Sequence, residues 1–354
     1  MTRRQHKKPL PVDLYQPSCA VYEMTLRCNL RCIHCGATAG TARAAELTLD
    51  EIRVMGRDLK RCKFKLVALI GGEIFCRKDW YDVARVLKDE GLGHTFITNG
   101  LLVGKKPALV DQILATGPTV VGVSLDGARA ETHDLIRGRS GSHAAALRAI
   151  ERLLDRGGNV SVITTLNRLN VDELPLLRDM LLGRGIGWQI QVASINGERF
   201  KKELFLTREQ YHGAARFIHE CSVEYTKREL PIGGSDDIGY FSKSYPHCSV
   251  NGYGWYGCKG GIINLGIQSN GNVKGCLSLP DAFVEGNIRE RSLYDIWNDP
   301  EAFKYSRQFD TAKLQGACRT CLFGQQCKGG CIDFAVSVSG HPYENPYCLY
   351  QNGL

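Results

Sequence analysis

Short apolar runs alternate with amphipathic segments between about residues 20 and 195. The runs have the length of buried strands, and the segments between them repeat apolar residues at helical spacing. The pattern predicts strands at 20–25, 66–70, 94–97, 120–123, 160–164 and 189–192, with helices at 48–61, 80–90, 107–115, 142–156 and 171–184. Thr48, followed three residues later by Glu51, is typical of a helix start.

This alternation predicts an α/β fold class, with right-handed βαβ units and a parallel sheet. Six strands are two fewer than a closed eight-stranded barrel needs, so we expect a partial (β/α)6 barrel that resembles a TIM barrel. Functional groups should then lie at the carboxyl ends of the strands.

The composition and periodicity of the sequence change after about residue 205. A long amphipathic helix is predicted at 207–228, and residues 231–237 have the composition of a linker. From residue 248 the chain is rich in glycine and cysteine and has few long apolar periods. Such a segment builds little hydrophobic core, so we expect bound metal ions or clusters to stabilise it. The predicted organisation is a basic tail (1–15), an α/β core (16–205), a bridging helix and linker (206–247), and a cysteine-rich α+β domain (248–354).

Cysteine is the unusual component, with 15 residues among 354. The start of the chain lacks an apolar signal segment, and no uncharged apolar run has the ~18 residues of a membrane span. We therefore expect a cytoplasmic protein with no membrane partner and with reduced thiols that ligate a metal or a cluster. The formal charge is +8, and the basic residues at 3–8 are typical of a solvated end. We expect no nucleic-acid partner.

Cys28, Cys32 and Cys35 follow the first predicted strand directly. Three thiolates at this spacing suit three corners of a [4Fe–4S] cluster, because thiolates are the soft ligands that such clusters need. No fourth cysteine follows nearby, which leaves one iron open to another ligand.

This CxxxCxxC pattern after a first strand resembles the signature of the radical S-adenosylmethionine (radical SAM) enzymes. The resemblance implies that the open iron binds the amino and carboxylate groups of S-adenosylmethionine. One electron from the cluster then splits the sulfonium bond and yields a 5′-deoxyadenosyl radical. It also implies that Gly71, Gly72 and Glu73 form a motif at the methionine amino group, although Ile74 stands where the family usually has proline.

Further residues at strand ends match the same family. Ser124 matches a serine that contacts the ribose, and Arg137 matches an arginine that pairs with the methionine carboxylate. Val192 is a weaker match to a position that packs on adenine. His34 takes the place of an aromatic residue that flanks adenine.

Seven cysteines near the C-terminus resemble the twin-cluster SPASM domain over about 248–354. The resemblance implies one auxiliary cluster on Cys318, Cys321, Cys327 and Cys348, and another on Cys258, Cys276 and Cys331. Cys248 is the candidate fourth ligand of the second set, and an open iron is the alternative. Three [4Fe–4S] clusters and S-adenosylmethionine are the expected cofactors. Structural zinc is the competing interpretation of the C-terminal array, and Cys19, Cys62, Cys76 and Cys221 are expected to be buried thiols.

Relatives with this extension mostly modify ribosomal peptides, so we expect a precursor peptide as substrate and crosslinking, epimerisation or oxidation as the outcome. Only 27 residues precede Cys28, which predicts that any leader peptide is bound by a separate protein or by the basic surface of the enzyme. A flavodoxin or ferredoxin is the expected electron donor. Leu277–Pro280 lack the aspartate that sulfatase-maturing relatives carry, which disfavours that activity.

Two alternatives stay open at this point. One is a radical SAM dehydrogenase or epimerase of small, aminoglycoside-like molecules. The other is a non-catalytic iron–sulfur electron carrier or a zinc-stapled binding protein.

Overall fold

A single ten-stranded sheet organises the chain in the computed structural model, which describes residues 17–240, 242, 244 and 256–353. The strand order is β10-β9-β8-β1-β2-β3-β4-β5-β6-β7. The strands are β1 (Cys19–Thr25), β2 (Leu66–Gly71), β3 (Gly93–Thr98), β4 (Val121–Ser124), β5 (Val160–Leu166), β6 (Gly187–Val192), β7 (Ile232–Gly234), β8 (Asn264–Ile267), β9 (Asn272–Lys274) and β10 (Gly286–Asn287).

The six predicted strands are present and pair in parallel from β1 to β6, which confirms the predicted α/β fold with a partial barrel. The sheet extends beyond them, because β8 pairs in parallel with β1, and β7 pairs in parallel with β6. The linker prediction for 231–237 is wrong in part, since β7 lies inside it. Its glycines give β7 a weak strand propensity, and pairing with β6 overrides that propensity.

Twelve α-helices are found in the described part of the chain. They are α1 (Leu49–Arg61), α2 (Trp80–Asp89), α3 (Leu101–Lys105), α4 (Pro107–Ala115), α5 (Ala130–Arg137), α6 (Ser142–Asp155), α7 (Leu174–Leu181), α8 (Arg208–Glu224), α9 (Leu293–Asn298), α10 (Lys304–Arg307), α11 (Gly324–Cys327) and α12 (Ile332–Ser339). The short helices α3 and α5 were not predicted. A capping box forms at Thr48 with Glu51, as predicted, and another forms at Thr207 with Gln210.

One hydrophobic core joins the barrel to the cysteine-rich segment. The Trp297 ring meets the Phe64 ring edge to face, with the centroids 4.9 Å apart. Arg289 forms an ion pair with Glu51 at the start of α1. The cysteine-rich segment therefore packs on the sheet rather than on a large core of its own. None of the described helices is long and apolar enough to cross a membrane.

Candidate active site

Cys28, Cys32 and Cys35 lie on the loop that follows β1, which we call the cysteine loop (residues 26–40). The three thiols share one apolar cluster with Leu30 and Leu101. Each sulfur has a donor near it. The backbone N–H of Leu30 lies 3.5 Å from the Cys28 Sγ, and that of Ala39 lies 3.3 Å from the Cys35 Sγ. The Arg137 Nη1 lies 3.9 Å from the Cys32 Sγ.

Burial dominates the ionisation of these thiols. It raises the pKa of Cys28 to about 12, and it raises the pKa of Cys32 above the usual value although the Arg137 guanidinium opposes this. A buried thiol without a cation therefore stays protonated, whereas a bound metal centre favours the thiolate. The N–H and guanidinium donors are suited to stabilising sulfur in that anionic form.

The loop after β2 lies directly against the cysteine loop. The Gly72 N–H donates to the Thr25 carbonyl at 2.7 Å, and the Glu73 N–H donates to the Arg27 carbonyl at 2.9 Å. A Cβ at Gly72 would come within 2.5 Å of the Arg27 carbonyl oxygen, and a Cβ at Gly71 would clash with the Thr25 carbonyl. Glycine is therefore required at both positions for the approach of one loop to the other.

The Glu73 side chain is fully buried and ties this loop to the end of β3. Its carboxylate accepts from the Thr98 hydroxyl at 2.7 Å and from the Asn99 N–H at 2.8 Å. Burial raises the pKa of Glu73 to about 7. The Asn99 amide in turn donates to the Asn29 Oδ1 at 2.7 Å. Glu73 thus fixes the ends of β2 and β3 beneath the cysteine loop.

Asp126, after the end of β4, organises the other side of the loop. Its Oδ2 lies 2.7 Å from the Arg137 Nε and 3.4 Å from the His34 Nε2, and all three side chains are buried. Arg137 holds the pKa of Asp126 below its usual value. Burial lowers the pKa of His34 to about 4, so His34 is neutral near pH 7. The Asp126 Oδ1 accepts from the Thr165 N–H at 2.9 Å.

The strands β1–β6 present one face that the helices leave open. On this face half-buried residues of β2, β5 and β6 alternate with residues that belong to the hydrophobic core, whereas Glu23, Thr95 and Thr165 on the same face are buried. Pairing in register places Ser124 beside Ile163, Ile163 beside Gln189, and Thr165 beside Gln191. Gln191 donates to the Thr165 hydroxyl at 3.0 Å. No lysine or arginine occurs in these six strands.

Val192 ends β6 with its side chain in the core, on the opposite face from Gln191. Its N–H donates to the Asp237 Oδ2 at 2.8 Å, and the Asp237 Oδ1 is a buried atom without a hydrogen-bond partner. Burial raises the pKa of Asp237 to about 7, and the neighbouring Asp333 and Asp236 carboxylates raise it further.

Four C-terminal cysteines line one pocket, and they are Cys318, Cys321, Cys327 and Cys348. This is the set that the resemblance to the SPASM domain assigns to one auxiliary cluster. Among the described residues, no group of three or more His, Cys, Asp or Glu side chains is arranged around a single metal ion. The four thiols therefore lie around one shared pocket.

Cys258, Cys276 and Cys331 form a second group. Burial raises the pKa of Cys276 to about 12, and the Asp333 and Cys258 side chains raise it further, which shows that these groups lie near each other. Backbone N–H groups of Ile332 and Gly260 donate to Cys258. Cys248 lies outside the described residues.

The four remaining cysteines divide into two kinds. Cys62 and Cys221 are buried, as predicted, whereas Cys19 and Cys76 are half-buried.

Several residues of the site were not predicted from the sequence. Asp126 and Asn99 both follow the end of a strand, where a polar residue after an apolar run is a usable signal. Arg199 donates to the Cys32 carbonyl at 3.2 Å, and Asp237 caps Val192, but no local pattern marks either residue. Both act through tertiary contacts between segments that are far apart in the sequence.

Comparison with known proteins defines the class. The radical SAM superfamily profile matches residues 22–181, and the profile of the SPASM iron–sulfur cluster-binding domain matches residues 258–322. The chain is 30% identical to an AdoMet-dependent heme synthase of Methanosarcina barkeri, covering 95% of this chain and 97% of that protein. The chain therefore belongs to the radical SAM enzymes that carry a SPASM domain.

Two further proteins are similar over nearly the whole chain. The mycofactocin maturase MftC of Mycolicibacterium smegmatis is 29% identical, with 93% of this chain and 81% of that protein covered. The solved structure of SuiB from Streptococcus suis bound to S-adenosylmethionine has the same fold, with a TM-score of 0.73 at 18% identity, covering 94% of this chain and 77% of SuiB.

The buried ion pair at Asp126 gives the first prediction. Asp126→Asn should lower the free energy of unfolding by about 3–5 kcal/mol, because it leaves the buried Arg137 guanidinium without its counter-charge. Asp111→Asn, which breaks an exposed pair with Arg156, should cost at most about 1 kcal/mol. Urea unfolding under anaerobic conditions measures both. Equal small losses of unfolding free energy in the two variants would show that Asp126 does not supply the counter-charge that Arg137 needs.

The second prediction concerns Asp237 and pH. Its carboxyl has a pKa of about 7 when folded, against 3.8 for an ordinary aspartate. Between these values the folded state keeps a proton that the unfolded state loses, so stability falls as pH rises, by up to about 1.4 kcal/mol per pH unit. Asp237→Asn should remove this loss of stability. The urea midpoint of the variant minus that of wild type should therefore increase from pH 5 to pH 7 and stay constant above pH 7.

The control for Asp237 is Asp172→Asn, at an exposed carboxyl. Its difference from wild type should stay constant over the same pH range. A constant difference for Asp237→Asn as well would show that this carboxyl titrates normally.

Proposed function

We propose that Cys28, Cys32 and Cys35 hold a [4Fe–4S] cluster and that its fourth iron takes S-adenosylmethionine. When both are bound, the cluster and S-adenosylmethionine would supply a 5′-deoxyadenosyl radical after one-electron reduction, for removal of hydrogen from the substrate. The proposal is supported by the N–H and guanidinium donors near the three sulfurs. The position of the loop at the carboxyl end of β1 also supports it.

The protein then supplies orientation for S-adenosylmethionine. We assign the ribose to Ser124, which is half-buried on the open face, and the methionine carboxylate to Arg137, which Asp126 orients. Gly71, Gly72 and Glu73 place main-chain groups near the methionine amino group. The adenine lies between His34 and the end of β6, where the main chain rather than the side chain of Val192 contacts it.

In the same proposal the SPASM domain holds two auxiliary [4Fe–4S] clusters. The cavity lined by Cys318, Cys321, Cys327 and Cys348 supports the first assignment. Cys258 raises the pKa of Cys276, and both of these thiols raise the pKa of Cys331, as expected for three neighbouring groups. This supports the second cluster assignment, with Cys248 as the fourth ligand. Thiols that ligate clusters need a reducing compartment, and we propose the cytoplasm.

The open face of the sheet supports a peptide substrate. Toward the carboxyl ends of β4 and β6, its half-buried polar groups are the Ser124 hydroxyl and the Gln191 amide. Such groups are complementary to the N–H and C=O groups of a peptide. We propose that the enzyme modifies a residue of a ribosomally made precursor peptide. The similarity to the maturase MftC, and to SuiB, which has been solved bound to its precursor peptide SuiA, agrees with this.

Two protein partners belong to this proposal. One is a separate leader-recognition protein that presents the peptide, and the other is a flavodoxin or ferredoxin that donates the electron.

A second candidate substrate is a tetrapyrrole. The relatives named AdoMet-dependent heme synthase and Fe-coproporphyrin III synthase, both from Methanosarcina barkeri, favour it, since they are 30% and 29% identical to this chain. A porphyrin with carboxylate groups calls for cationic partners. The strands β1–β6 provide none, and for this reason we place the peptide first.

The chemistry is tested with the reconstituted enzyme, dithionite and S-adenosylmethionine under strictly anaerobic conditions. Wild type should form 5′-deoxyadenosine. Cys32→Ala should form none and should lose about four of about twelve iron atoms. Cys321→Ala should lose a similar amount of iron but keep part of the cleavage. Normal cleavage by both variants would contradict the division of roles between the two cysteine sets.

The substrate class is tested by coexpression with each short open reading frame that lies beside the gene of this enzyme. The peptide should change mass, and Gln191→Leu should lower the yield roughly tenfold, the effect of one or two lost hydrogen bonds. Gln112→Leu, at an exposed position on α4, is the control and should have no effect. Conversion of Fe-coproporphyrin III in place of any peptide would establish the second candidate.

A further inference from the structure

We propose that the exposed surface formed by Arg31, Leu135 and Arg139, here called the donor patch, docks a small acidic electron-transfer protein that reduces the cluster of the cysteine loop. The inference rests on the proposed function, because only that function requires an electron at this place. It adds the location of the contact and the chemistry that selects the partner.

The patch lies on the cysteine loop and on the end of α5, which packs against that loop. Arg31 is part of that loop, and its main chain packs against Gly138, where a Cβ would come within 2.6 Å of the Arg31 carbonyl. Arg139 donates from Nη1 to the Asn29 carbonyl at 3.2 Å. Leu135 lies one turn before Gly138 at the end of α5, and the Gly138 N–H donates to its carbonyl at 3.2 Å.

The charge of the patch is positive. Arg31 and Arg139 are exposed, and Arg27 adds a third exposed guanidinium two residues after β1. The carboxylates of Glu131 and Asp134 on α5 offset two of the three charges, which leaves a net charge of +1. The Asp134 carboxylate accepts from Gly141 N, Ser142 Oγ and His143 N at the start of α6, and Glu131 lies at the far end of α5.

The patch also has an apolar centre. Leu135 is 60% exposed, although α5 buries its neighbours Ile136 and Arg137. An exposed leucine flanked by arginines suits a brief, small contact of the kind that electron-transfer proteins make. Opposite charge speeds such an encounter, roughly 10-fold to 1,000-fold at low ionic strength.

A competing docking surface lies beside the auxiliary cysteine set that includes Cys321. Leu322 is 86% exposed and follows Cys321, so an electron carrier could instead meet the auxiliary cavity. The donor patch is favoured because it consists of the cysteine loop and of residues in contact with it. Reduction there needs no transfer through the SPASM domain. Leu322 provides a matched control, since the same substitution can be made at both leucines.

The test measures anaerobic oxidation of flavodoxin hydroquinone by the reconstituted enzyme in a stopped-flow instrument, without S-adenosylmethionine or substrate. Arg31→Glu/Arg139→Glu and, separately, Leu135→Glu should slow this oxidation at least tenfold at low salt, and the difference should shrink at high salt. Reduction by dithionite, which needs no docking surface, should keep its wild-type rate in both variants.

Two controls match these substitutions. Lys63→Glu/Lys65→Glu changes the charge equally at the opposite end of the sheet, where both lysines are exposed, and Leu322→Glu places the same charge beside the auxiliary cavity. Both should react with flavodoxin at the wild-type rate. Leu135 is 60% exposed, whereas Arg139 donates to the cysteine loop, so Leu135→Glu remains informative if the arginine variant loses iron.

The proposal is overturned if the donor-patch variants react with flavodoxin as wild type does, or if Leu322→Glu is the slow variant. It is also overturned if the patch variants weaken only the binding of an acidic precursor peptide. Failure of wild type to form 5′-deoxyadenosine with dithionite would instead refute the proposed function, so the two failures are distinguishable.

Discussion

The site depends on the contact between two backbone loops that have no room for side chains between them. The loop after β2 reaches the cysteine loop through hydrogen bonds from Gly72 and Glu73 to the carbonyls of Thr25 and Arg27. A Cβ at Gly71 or Gly72 would fill the space of those carbonyls. The cysteine loop is thereby held by main-chain contacts, which define its position more narrowly than flexible side chains would.

Buried charge then orients the groups around the sulfurs. Arg137 is shared between Asp126 and the Cys32 Sγ, and Asp126 is in turn held by the Thr165 N–H. Burying such a pair costs desolvation energy that the pair alone seldom recovers. The arrangement is therefore better explained by positioning of a cation at the cysteine loop than by stability. A guanidinium fixed in this way is available to an anionic ligand without reorganisation.

The sequence was sufficient for the parts of the structure that rest on local patterns. The six strands and the capped helices follow from periodicity and capping patterns, whereas the division of the C-terminal cysteines into two sets was implied by the resemblance to the SPASM domain. Strand β7 could not be found, because Ile232–Gly234 becomes a strand only by pairing with β6. Arg199 and Asp237 were missed for the same reason, since their roles come from contacts with Cys32 and Val192 that the chain makes only when folded. The sequence places glycine at positions 71 and 72, but the steric reason for glycine there is visible only in the fold.

The pairing of β8 with β1 links the two cysteine regions mechanically. Cys19–Tyr22 of β1 pair in register with Asn264–Ile267 of β8, and β9 pairs with β8 and leads into Cys276. A Cβ at Gly266 would come within 2.7 Å of the Leu277 nitrogen, so β8 also packs closely on the segment that follows Cys276. One continuous sheet therefore carries both the cysteine loop and part of the second cysteine group. Because a paired sheet resists sliding between strands, the separation of these two regions is a fixed property of the fold.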